Sequence, residues 1–387
     1  MMLPIRDAFS GFLSLPKRLH FAAHSHHPWP DVSLQAHQQA WLDAATHIDN
    51  KWDGVLNEVL PTARTHIARL LNLPDADSLA TAPNTHEFLL RLLSCITSKP
   101  ARILTTDSEF HSFSRQIQRL EEAGEVVVTR VATEPFDSFT SRFADAANHQ
   151  AFDLIYVSQV FYNSGFAIAD LDSLIGNIKP SDALIAIDGY HGFMARPTDL
   201  SAIADRVFYL AGGYKYAMAG EGACFMHCPP GVAMRPLNTG WYAGFGQLSG
   251  PPGGVQYTEE GGRFLGATFD PTAWYRFNAV QALLENHGIS VSDIHAHVRG
   301  LQEHFLSKLP APGPLTAEQV IPEKDRARGN FLTFRTPDAS QLHQQLMDQH
   351  VITDFRGDRL RFGFGVYHGN DDVDALLERL GRLPAAR

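Results

Sequence analysis

A lysine and an aspartate that stand 27 residues apart are the residues whose types and spacing most directly suggest chemistry. Lys215 lies between two tyrosines with glycines on both sides, and Asp188 opens the run Asp188-Gly189-Tyr190-His191. Glycines let the backbone approach a ligand, and a lysine in partly apolar surroundings loses its proton more readily, which suits Schiff-base chemistry. Alone, such a lysine is usually a solvated loop residue, and such an aspartate is either a turn residue or a buried carboxylate with a cationic partner.

Two earlier segments supply the other groups that this chemistry requires. Asn84, with Glu87 three residues later, resembles a capping box at a helix start, and the free amides there also bind phosphate. Phe110 follows a predicted strand, where an aromatic ring either stacks on a planar ligand or packs in the core. The chain thus offers, in this order, a phosphate-binding turn, an aromatic ring, a carboxylate and a lysine. This order matches a pyridoxal phosphate site. Such a site needs donors for the phosphate, a ring that stacks on the cofactor, a carboxylate for the pyridine nitrogen and an amine for the aldehyde.

Short apolar runs that alternate with helical patterns position these four features at the carboxyl ends of strands. Several of the runs lack period-2 alternation, as expected for strands covered on both faces. The alternation predicts an α/β fold with a mostly parallel sheet, in which ligands bind at the carboxyl ends of the strands. The predicted strands cover residues 102–106, 126–131, 153–158, 184–188, 207–210 and 223–227, and the clearest predicted helix between them covers 86–97.

The rest of the chain predicts a second, smaller unit. Residues 240–263 are rich in glycine and proline, Gly250, Pro251 and Pro252 among them, and form a predicted long loop. The predicted domains are an N-terminal segment over 1–50 that packs on the site, a large cofactor-binding domain over 51–265 and a small α+β domain over 266–387. The elements predicted after the loop are helices over 272–287, 291–309, 339–350 and 371–380 and strands over 331–335 and 359–364.

Composition excludes several classes of protein. The 387 residues are 44% hydrophobic and 19% charged, which is an ordinary globular mixture. The net charge of −10 argues against nucleic-acid and anionic-membrane partners, and no stretch approaches the about 20 apolar residues of a membrane span. Three cysteines are too few for a disulfide framework, and Arg6 and Asp7 interrupt what would be a signal peptide. We therefore expect a cytoplasmic protein.

From about residue 70 to 380 the chain resembles the class V aminotransferase branch of the fold type I pyridoxal-phosphate enzymes, and within it looks most like the kynureninases. The resemblance implies a large domain around a mostly parallel, seven-stranded sheet and a small α+β C-terminal domain. It also implies pyridoxal 5'-phosphate as the cofactor and an amino acid as the substrate. The matching runs are Asp188-Gly-Tyr-His191, Tyr214-Lys215-Tyr216, Gly240-Trp241, Arg263-Phe-Leu-Gly-Ala-Thr268 and Arg361-Phe-Gly-Phe-Gly-Val-Tyr367.

Carried over position by position, the resemblance implies roles for the reactive groups. Lys215 would form the Schiff base with the cofactor and move protons, and Asp188 would pair with the pyridine nitrogen. His191 would lie beside the cofactor, and Phe110 would stack on its ring. Arg361 would hold the α-carboxylate of the substrate.

The resemblance implies further contacts around the cofactor. The phosphate would be bound by three residues of the same chain, Asn84, Thr85 and Tyr214, while Ser158 and Trp241 would line the pocket. Thr268 would reach the phosphate of a neighbouring subunit, so that the sites are shared within a homodimer.

Three departures from the family pattern concern the substrate more than the cofactor. The aspartate of the run after the stacking aromatic is absent from Phe110-His-Ser-Phe113, and the family's glycine before Thr268 is Ala267. The N-terminal motif reads Ala23-His-Ser-His-His27. We interpret this run as a loop that enters the site. A metal cluster is less favoured, because no carboxylate or cysteine stands at a ligand spacing nearby. We expect no metal.

The hypothesis that follows is hydrolytic Cβ–Cγ cleavage of kynurenine or a related 2-amino-4-oxo acid. An aminotransferase is the main alternative, and a lyase or epimerase shares the same residues. A cysteine desulfurase needs a mobile nucleophilic cysteine late in the chain, whereas Cys95, Cys224 and Cys228 all come earlier. A protein that binds the cofactor without catalysis is a remote alternative, because Lys215, Asp188 and Arg361 are all present.

Overall fold

The computed structural model describes residues 3–15, 18–246 and 253–384. Gly250, Pro251 and Pro252 of the predicted loop lie outside the described residues. The described part of that loop contains two short 3₁₀ turns, Trp241–Gly244 and Glu260–Phe264, and no strand.

The described residues contain thirteen strands and twelve α-helices. The strands are β1 (Leu19–His20), β2 (Leu79–Ala82), β3 (Ala101–Thr106), β4 (Val126–Val131), β5 (Leu154–Ser158), β6 (Leu184–Asp188), β7 (Val207–Gly212), β8 (Cys224–His227), β9 (Val320–Ile321), β10 (Phe331–Arg335), β11 (Val351–Ile352), β12 (Asp354–Arg356) and β13 (Arg359–Gly363). The helices are α1 (Ser10–Leu13), α2 (Val32–His47), α3 (Lys51–Gly54), α4 (Leu60–Leu71), α5 (Thr85–Ser94), α6 (His111–Glu122), α7 (Phe139–His149), α8 (Leu171–Gly176), α9 (Thr272–Asn286), α10 (Val291–Ser307), α11 (Ala339–Asp348) and α12 (Asn370–Gly381).

A seven-stranded sheet forms the centre of the molecule. Its order is β2-β8-β7-β6-β5-β3-β4, in which β8 is antiparallel to both neighbours and the pairs from β7 to β4 are parallel. The prediction of an α/β fold with a mostly parallel seven-stranded sheet is therefore confirmed. Every residue of β5 and β7 is buried, which explains why these strands read as continuous apolar runs.

The register of the parallel strands brings two polar residues together at the carboxyl ends of neighbouring strands. Ser158, the last residue of β5, pairs with Asp188, the last residue of β6, and Asp188 pairs with Leu210 of β7. The chain then continues from β7 into the loop that carries Lys215. A parallel sheet presents its carboxyl ends together, so residues that are far apart in sequence meet there.

A four-stranded antiparallel sheet forms the second unit, in the order β12-β13-β10-β9. Its core combines aliphatic side chains with a group of aromatic rings, in which Phe305 of α10 packs on Phe334, Phe362 and Phe364. The N-terminal segment joins this unit, because β1 pairs in parallel with β11. Helix α9 packs in the same hydrophobic cluster as the large sheet, and the division at residue 265 stays a prediction.

Several short elements escaped the sequence patterns. Strand β2 lies at the edge of the large sheet and has four residues, and β1, β9, β11 and β12 have two or three. Runs this short hold too few residues to show a period. In the part of the chain that the structure describes, no helix is long and apolar enough to cross a bilayer.

Candidate active site

A cavity of about 820 Å³ opens at the carboxyl ends of β5, β6 and β7. One wall comes from the large sheet and α6, and the opposite wall comes from β12, β13 and the N-terminal segment. The cavity therefore lies between elements that are distant in sequence. The structure places nine of the eleven predicted site residues on its lining, namely Asn84, Thr85, Phe110, Ser158, Asp188, His191, Tyr214, Lys215 and Arg361.

Lys215 lies in the middle of this lining. Its Nζ is hydrogen-bonded to Nε2 of His191 and lies 5.5 Å from the ring centroid of Phe110 and 5.4 Å from that of Tyr190. Burial, reinforced by the positive charge of Arg361, lowers the pKa of Lys215 to about 7. A large share of this amine is therefore unprotonated at neutral pH, which is the form that attacks an aldehyde.

Asp188 lies on the cavity lining and is held by two hydrogen bonds. Its Oδ1 accepts from the backbone N–H of Tyr190 at 2.9 Å, and its Oδ2 accepts from the hydroxyl of Tyr156 at 3.0 Å. Burial raises the pKa of Asp188, whereas these two hydrogen bonds and the Lys215 charge oppose the rise. The bond from the Tyr190 N–H is the turn contact that the sequence allowed. The desolvated carboxylate on the cavity lining also fits the second interpretation, a partner for a cation.

His191 is a buried neutral ring beside Lys215. Burial lowers its pKa well below the usual range, and the charge of Lys215 acts in the same direction. Its Nδ1 has no hydrogen-bond partner within the described residues. A neutral imidazole can accept the proton of an amine or donate its own, so His191 is placed to assist proton transfer at Lys215.

The start of α5 forms the other end of the cavity. Asn84 caps this ten-residue helix, since its Oδ1 accepts from the backbone N–H of Glu87 at 3.0 Å, and Thr85 is the first helical residue. Tyr214 also lines the cavity, and its hydroxyl is hydrogen-bonded to Nδ1 of His26 at 3.0 Å. Backbone amides and hydroxyls at a helix start are suitable donors for a phosphate group.

Glu109 is a buried acid beside the cavity that sequence reasoning missed. It accepts hydrogen bonds from the Ser158 hydroxyl at 2.5 Å, from the Thr106 hydroxyl at 2.8 Å and from the Ser158 N–H at 3.2 Å. Burial raises the pKa of Glu109 to about 8. Its position directly before Phe110 was the one available signal, because a glutamate between a buried strand and a stacking aromatic is unusual.

Arg361 is buried in the opposite wall. It donates to Oδ2 of Asp354 and to the carbonyl of Tyr162, while its Nε has no partner in the described parts of the chain. Asp354 also accepts from Nη1 of Arg356 at 2.5 Å. The sequence patterns missed Asp354 and Arg356 because both lie on the three-residue strand β12.

The N-terminal segment supplies part of the same wall. His24 and Ser25 line the cavity, and His26 contacts Tyr214. His27 is buried and its Nδ1 is hydrogen-bonded to the carbonyl of Pro28 at 2.7 Å. The three histidines therefore have different neighbours, and the described residues contain no group of three or more His, Cys, Asp or Glu that could hold a metal ion.

Trp241 and Thr268 stand apart from the other predicted site residues. Nε1 of Trp241 donates to the Thr268 hydroxyl at 3.2 Å, and the indole is 42% exposed. Neither residue is part of the lining of the cavity in its own chain. Their roles stay predictions, and for Thr268 the prediction concerns the site of a neighbouring subunit.

The described cysteines do not line the cavity, although Sγ of Cys224 lies 3.7 Å from the hydroxyl of the lining residue Tyr190. Cys224 and Cys228 are buried, and burial raises the pKa of Cys224 to about 12. Burial likewise raises the pKa of Cys95 to about 12. Among the described residues, no cysteine lines the cavity.

Together these residues fit pyridoxal phosphate. The amine of Lys215 matches the aldehyde, and the buried carboxylate of Asp188 matches a protonated pyridine nitrogen. Phe110 is 41% exposed at the lining, and an exposed aromatic there offers a face for ring stacking. The start of α5 matches the phosphate.

Comparison with known proteins also supports pyridoxal phosphate as the cofactor. A profile of the family described as aminotransferase class-V matches residues 51–376. A kynureninase from Deinococcus radiodurans is 26% identical over 259 residues, which cover 63% of this chain and 58% of the relative. The chain thus spans less than two thirds of that relative's length.

Solved structures share the fold. A cystine C–S lyase, C-DES, in complex with cysteine persulfide has a TM-score of 0.80 at 16% identity, covering 97% of this chain and 100% of its own. A variant of C-DES has glycine covalently linked to its pyridoxal phosphate, with a TM-score of 0.79, 16% identity and coverage of 98% and 100%. The cysteine desulfurase of Thermococcus onnurineus NA1 has a TM-score of 0.79 at 16% identity, covering 98% of each chain.

Proposed function

We propose that this chain, which belongs to the aminotransferase class-V family, is a kynureninase-like hydrolase. Its substrate would be kynurenine or a related 2-amino-4-oxo acid, cleaved between Cβ and Cγ. The cofactor is pyridoxal phosphate, as the family and the cofactor-bound neighbour indicate. The similarity to a kynureninase supports the choice of substrate, although it spans 58% of that relative.

One observation carries the proposal: Lys215, Asp188 and Arg361 converge on one cavity. A lysine with a lowered pKa and a buried carboxylate suit the two ends of a pyridoxal ring. A buried arginine on the opposite wall suits the carboxylate of an amino acid. A protein that bound the cofactor without catalysis would not need the arginine.

The residues of the chain divide the work. When bound, the cofactor supplies an aldehyde that takes up the substrate amine and a protonated ring that withdraws electrons from the α-carbon. Lys215 removes and returns protons next to the ring, with His191 as its hydrogen-bond partner. Asp188 keeps the pyridine nitrogen protonated, and Arg361 orients the substrate through its carboxylate.

The overall reaction consumes one water. Its hydroxyl adds to the γ-carbonyl carbon of the substrate, the Cβ–Cγ bond breaks, and Cβ takes a proton. The products are alanine and the carboxylic acid derived from the γ-acyl group. Kynurenine would give alanine and anthranilate.

The experiment that tests the proposal uses the cofactor-loaded protein. It is incubated with kynurenine, with 3-hydroxykynurenine and with a panel of amino acids, with and without a 2-oxo acid. Release of anthranilate and alanine without a 2-oxo acid supports the hydrolase. Turnover that requires a 2-oxo acid identifies an aminotransferase, and release of pyruvate or sulfide from a sulfur amino acid identifies a lyase.

A homodimer with shared sites and a cytoplasmic location belong to the same proposal. The exposed pair of Trp241 and Thr268 supports the homodimer, because neither side chain completes the cavity of its own chain. A shared site would give both residues a ligand to contact.

A further inference from the structure

The segment 24–27 is fixed against the strand that carries Arg361. Ala22, just before it, forms a parallel bridge with Gly363. A Cβ on Gly363 would lie 2.2 Å from Nδ1 of His24, and a Cβ on Gly365 would lie 2.5 Å from Nε2 of His27. Both positions therefore require glycine, because any side chain would displace a histidine ring.

His24 is the buried member of this segment that faces the cavity. Its side chain is 1% exposed and its ring stacks on Phe331 with 4.7 Å between centroids. Burial, followed by the charge of Arg361, lowers the pKa of His24 to about 3, so the ring is neutral. Both ring nitrogens are buried without a hydrogen-bond partner among the residues described, which is costly unless a ligand or a rearrangement satisfies them.

The nearest acidic group to His24 is the carboxylate that holds Arg361. Nε2 of His24 lies 3.6 Å from Oδ2 of Asp354, and this oxygen accepts the hydrogen bond from Arg361. The other oxygen of Asp354 accepts from Arg356, whose side chain is 44% exposed. The Asp354 carboxylate thus lies between the guanidinium groups of Arg361 and Arg356. A shift toward Arg356 would weaken its hydrogen bond with Arg361.

We propose that His24 positions Arg361 through Asp354. When a substrate carboxylate binds to Arg361, it competes with Asp354 for the same guanidinium N–H groups. Nε2 of His24, which lies 3.6 Å from Oδ2 in this structure, would then close to hydrogen-bond distance, keep Asp354 in place and hold the guanidinium turned toward the cavity. The inference rests on the proposed function in one respect, that Arg361 binds the carboxylate of an amino acid.

The test compares two ligands that differ in the carboxylate alone. The cofactor-loaded protein is titrated with L-alanine and with ethylamine, and both dissociation constants are read from the absorbance of the cofactor. His24→Phe keeps a ring to stack on Phe331 and removes both nitrogens. We expect this variant to bind L-alanine about 10- to 100-fold more weakly and ethylamine within about twofold of the unaltered protein.

Further variants separate positioning from a structural role. His24→Gln places an amide N–H near the position of Nε2 and should recover most of the affinity for L-alanine. Arg361→Gln should remove the preference for L-alanine, and adding His24→Phe to it should cause no further loss. His149→Phe, on the surface of α7, should leave both constants unchanged.

Three results would overturn the inference. These are equal weakening of both ligands, an unchanged constant for L-alanine, or additive effects of His24→Phe and Arg361→Gln. If His24→Phe does not fold, Asp354→Asn takes its place, and a dissociation constant for L-alanine that is unchanged, or weakened equally with that for ethylamine, has the same meaning. Neither ligand is a 2-amino-4-oxo acid, so the outcome does not depend on whether the protein cleaves one.

Discussion

The two walls of the cavity are built in different ways. On the cofactor wall, Asp188 ends a strand and Lys215 follows the next strand, so local sequence runs place both groups at one sheet edge. On the substrate wall, His24, Asp354 and Arg361 come from the two ends of the chain and meet through tertiary contacts. The residues of the first wall belong to short sequence motifs, whereas those of the second wall come together only when three separate segments pack against one another.

This difference indicates which residues can be replaced when the substrate changes. The cofactor wall must satisfy one fixed ligand, so its residue types and spacing are constrained together. The substrate wall combines Arg361 with neighbours of this chain's own, among them His24 in place of the family's N-terminal pattern.

The largest effect is expected on the cofactor wall. Lys215→Ala should lower kcat on the order of 10⁴-fold, because proton transfer at the α-carbon loses its base. The phosphate and ring contacts remain, so purified protein should still bind the cofactor, with an altered absorbance spectrum. Lys179→Ala, on the exposed surface, serves as the control. Full activity in Lys215→Ala would remove the basis of the proposed function.

On the substrate wall, Arg361→Gln should lower kcat/KM about 100-fold or more, mainly through KM, because a buried charged hydrogen-bond partner is lost. Cofactor binding should change little. Arg359→Gln is a matched control, since Arg359 lies on the same strand and pairs with Glu134 at 3.2 Å outside the cavity. Equal effects of both substitutions would contradict a specific role for Arg361.

The proposed homodimer predicts an effect from outside the cavity. Thr268→Ala should weaken cofactor binding about tenfold, since one hydrogen bond to a charged phosphate is lost. Mixing this variant with Lys215→Ala and allowing subunits to exchange should give dimers with one intact site. At a cofactor concentration too low to saturate Thr268→Ala, activity of the mixture above the sum of its two components is the expected result, and simple additivity there would argue against shared sites.

The smallest effect concerns pH and links the two walls. With a pKa of about 7, the unprotonated fraction of Lys215 rises from about one tenth at pH 6 to about nine tenths at pH 8. The rate at which apoprotein captures pyridoxal phosphate should therefore rise about ninefold over this interval and level off above it. Arg361→Gln should move the midpoint upward, since the Arg361 charge helps to lower this pKa. A flat profile would show that Lys215 is not the titrating group.

The fold could be predicted from the sequence for a physical reason. Strands β4, β6 and β10 begin and end at the predicted residues, because apolar runs bounded by turn residues are a local signal. In a parallel sheet the carboxyl ends meet, so the nearness of Asp188 and Lys215 follows from that rule, whereas Ser158 came from the resemblance alone.

The substrate wall could be predicted only in part. Arg361 was available from the resemblance, but Asp354 lies on a strand of three residues, too short to show a period. Glu109 acquires its importance from burial beside Ser158 and Thr106, a tertiary arrangement that no pattern of neighbouring residues reveals. His24 and its neighbour His27 fit against β13 because Gly363 and Gly365 have no side chains. This requirement is tertiary, so in the sequence the two residues look like any other glycines.

The pairing of β1 with β11 has a consequence for the timing of assembly. Leu19 pairs with Val351, so more than 300 residues must be synthesised between the two halves of this contact. During synthesis the large sheet can form first, because all its strands end by His227. A growing chain would thus form the part of the cavity with Asp188 and Lys215 well before β13, which seats His24 and carries Arg361, and the wall that we propose to bind the substrate would form last.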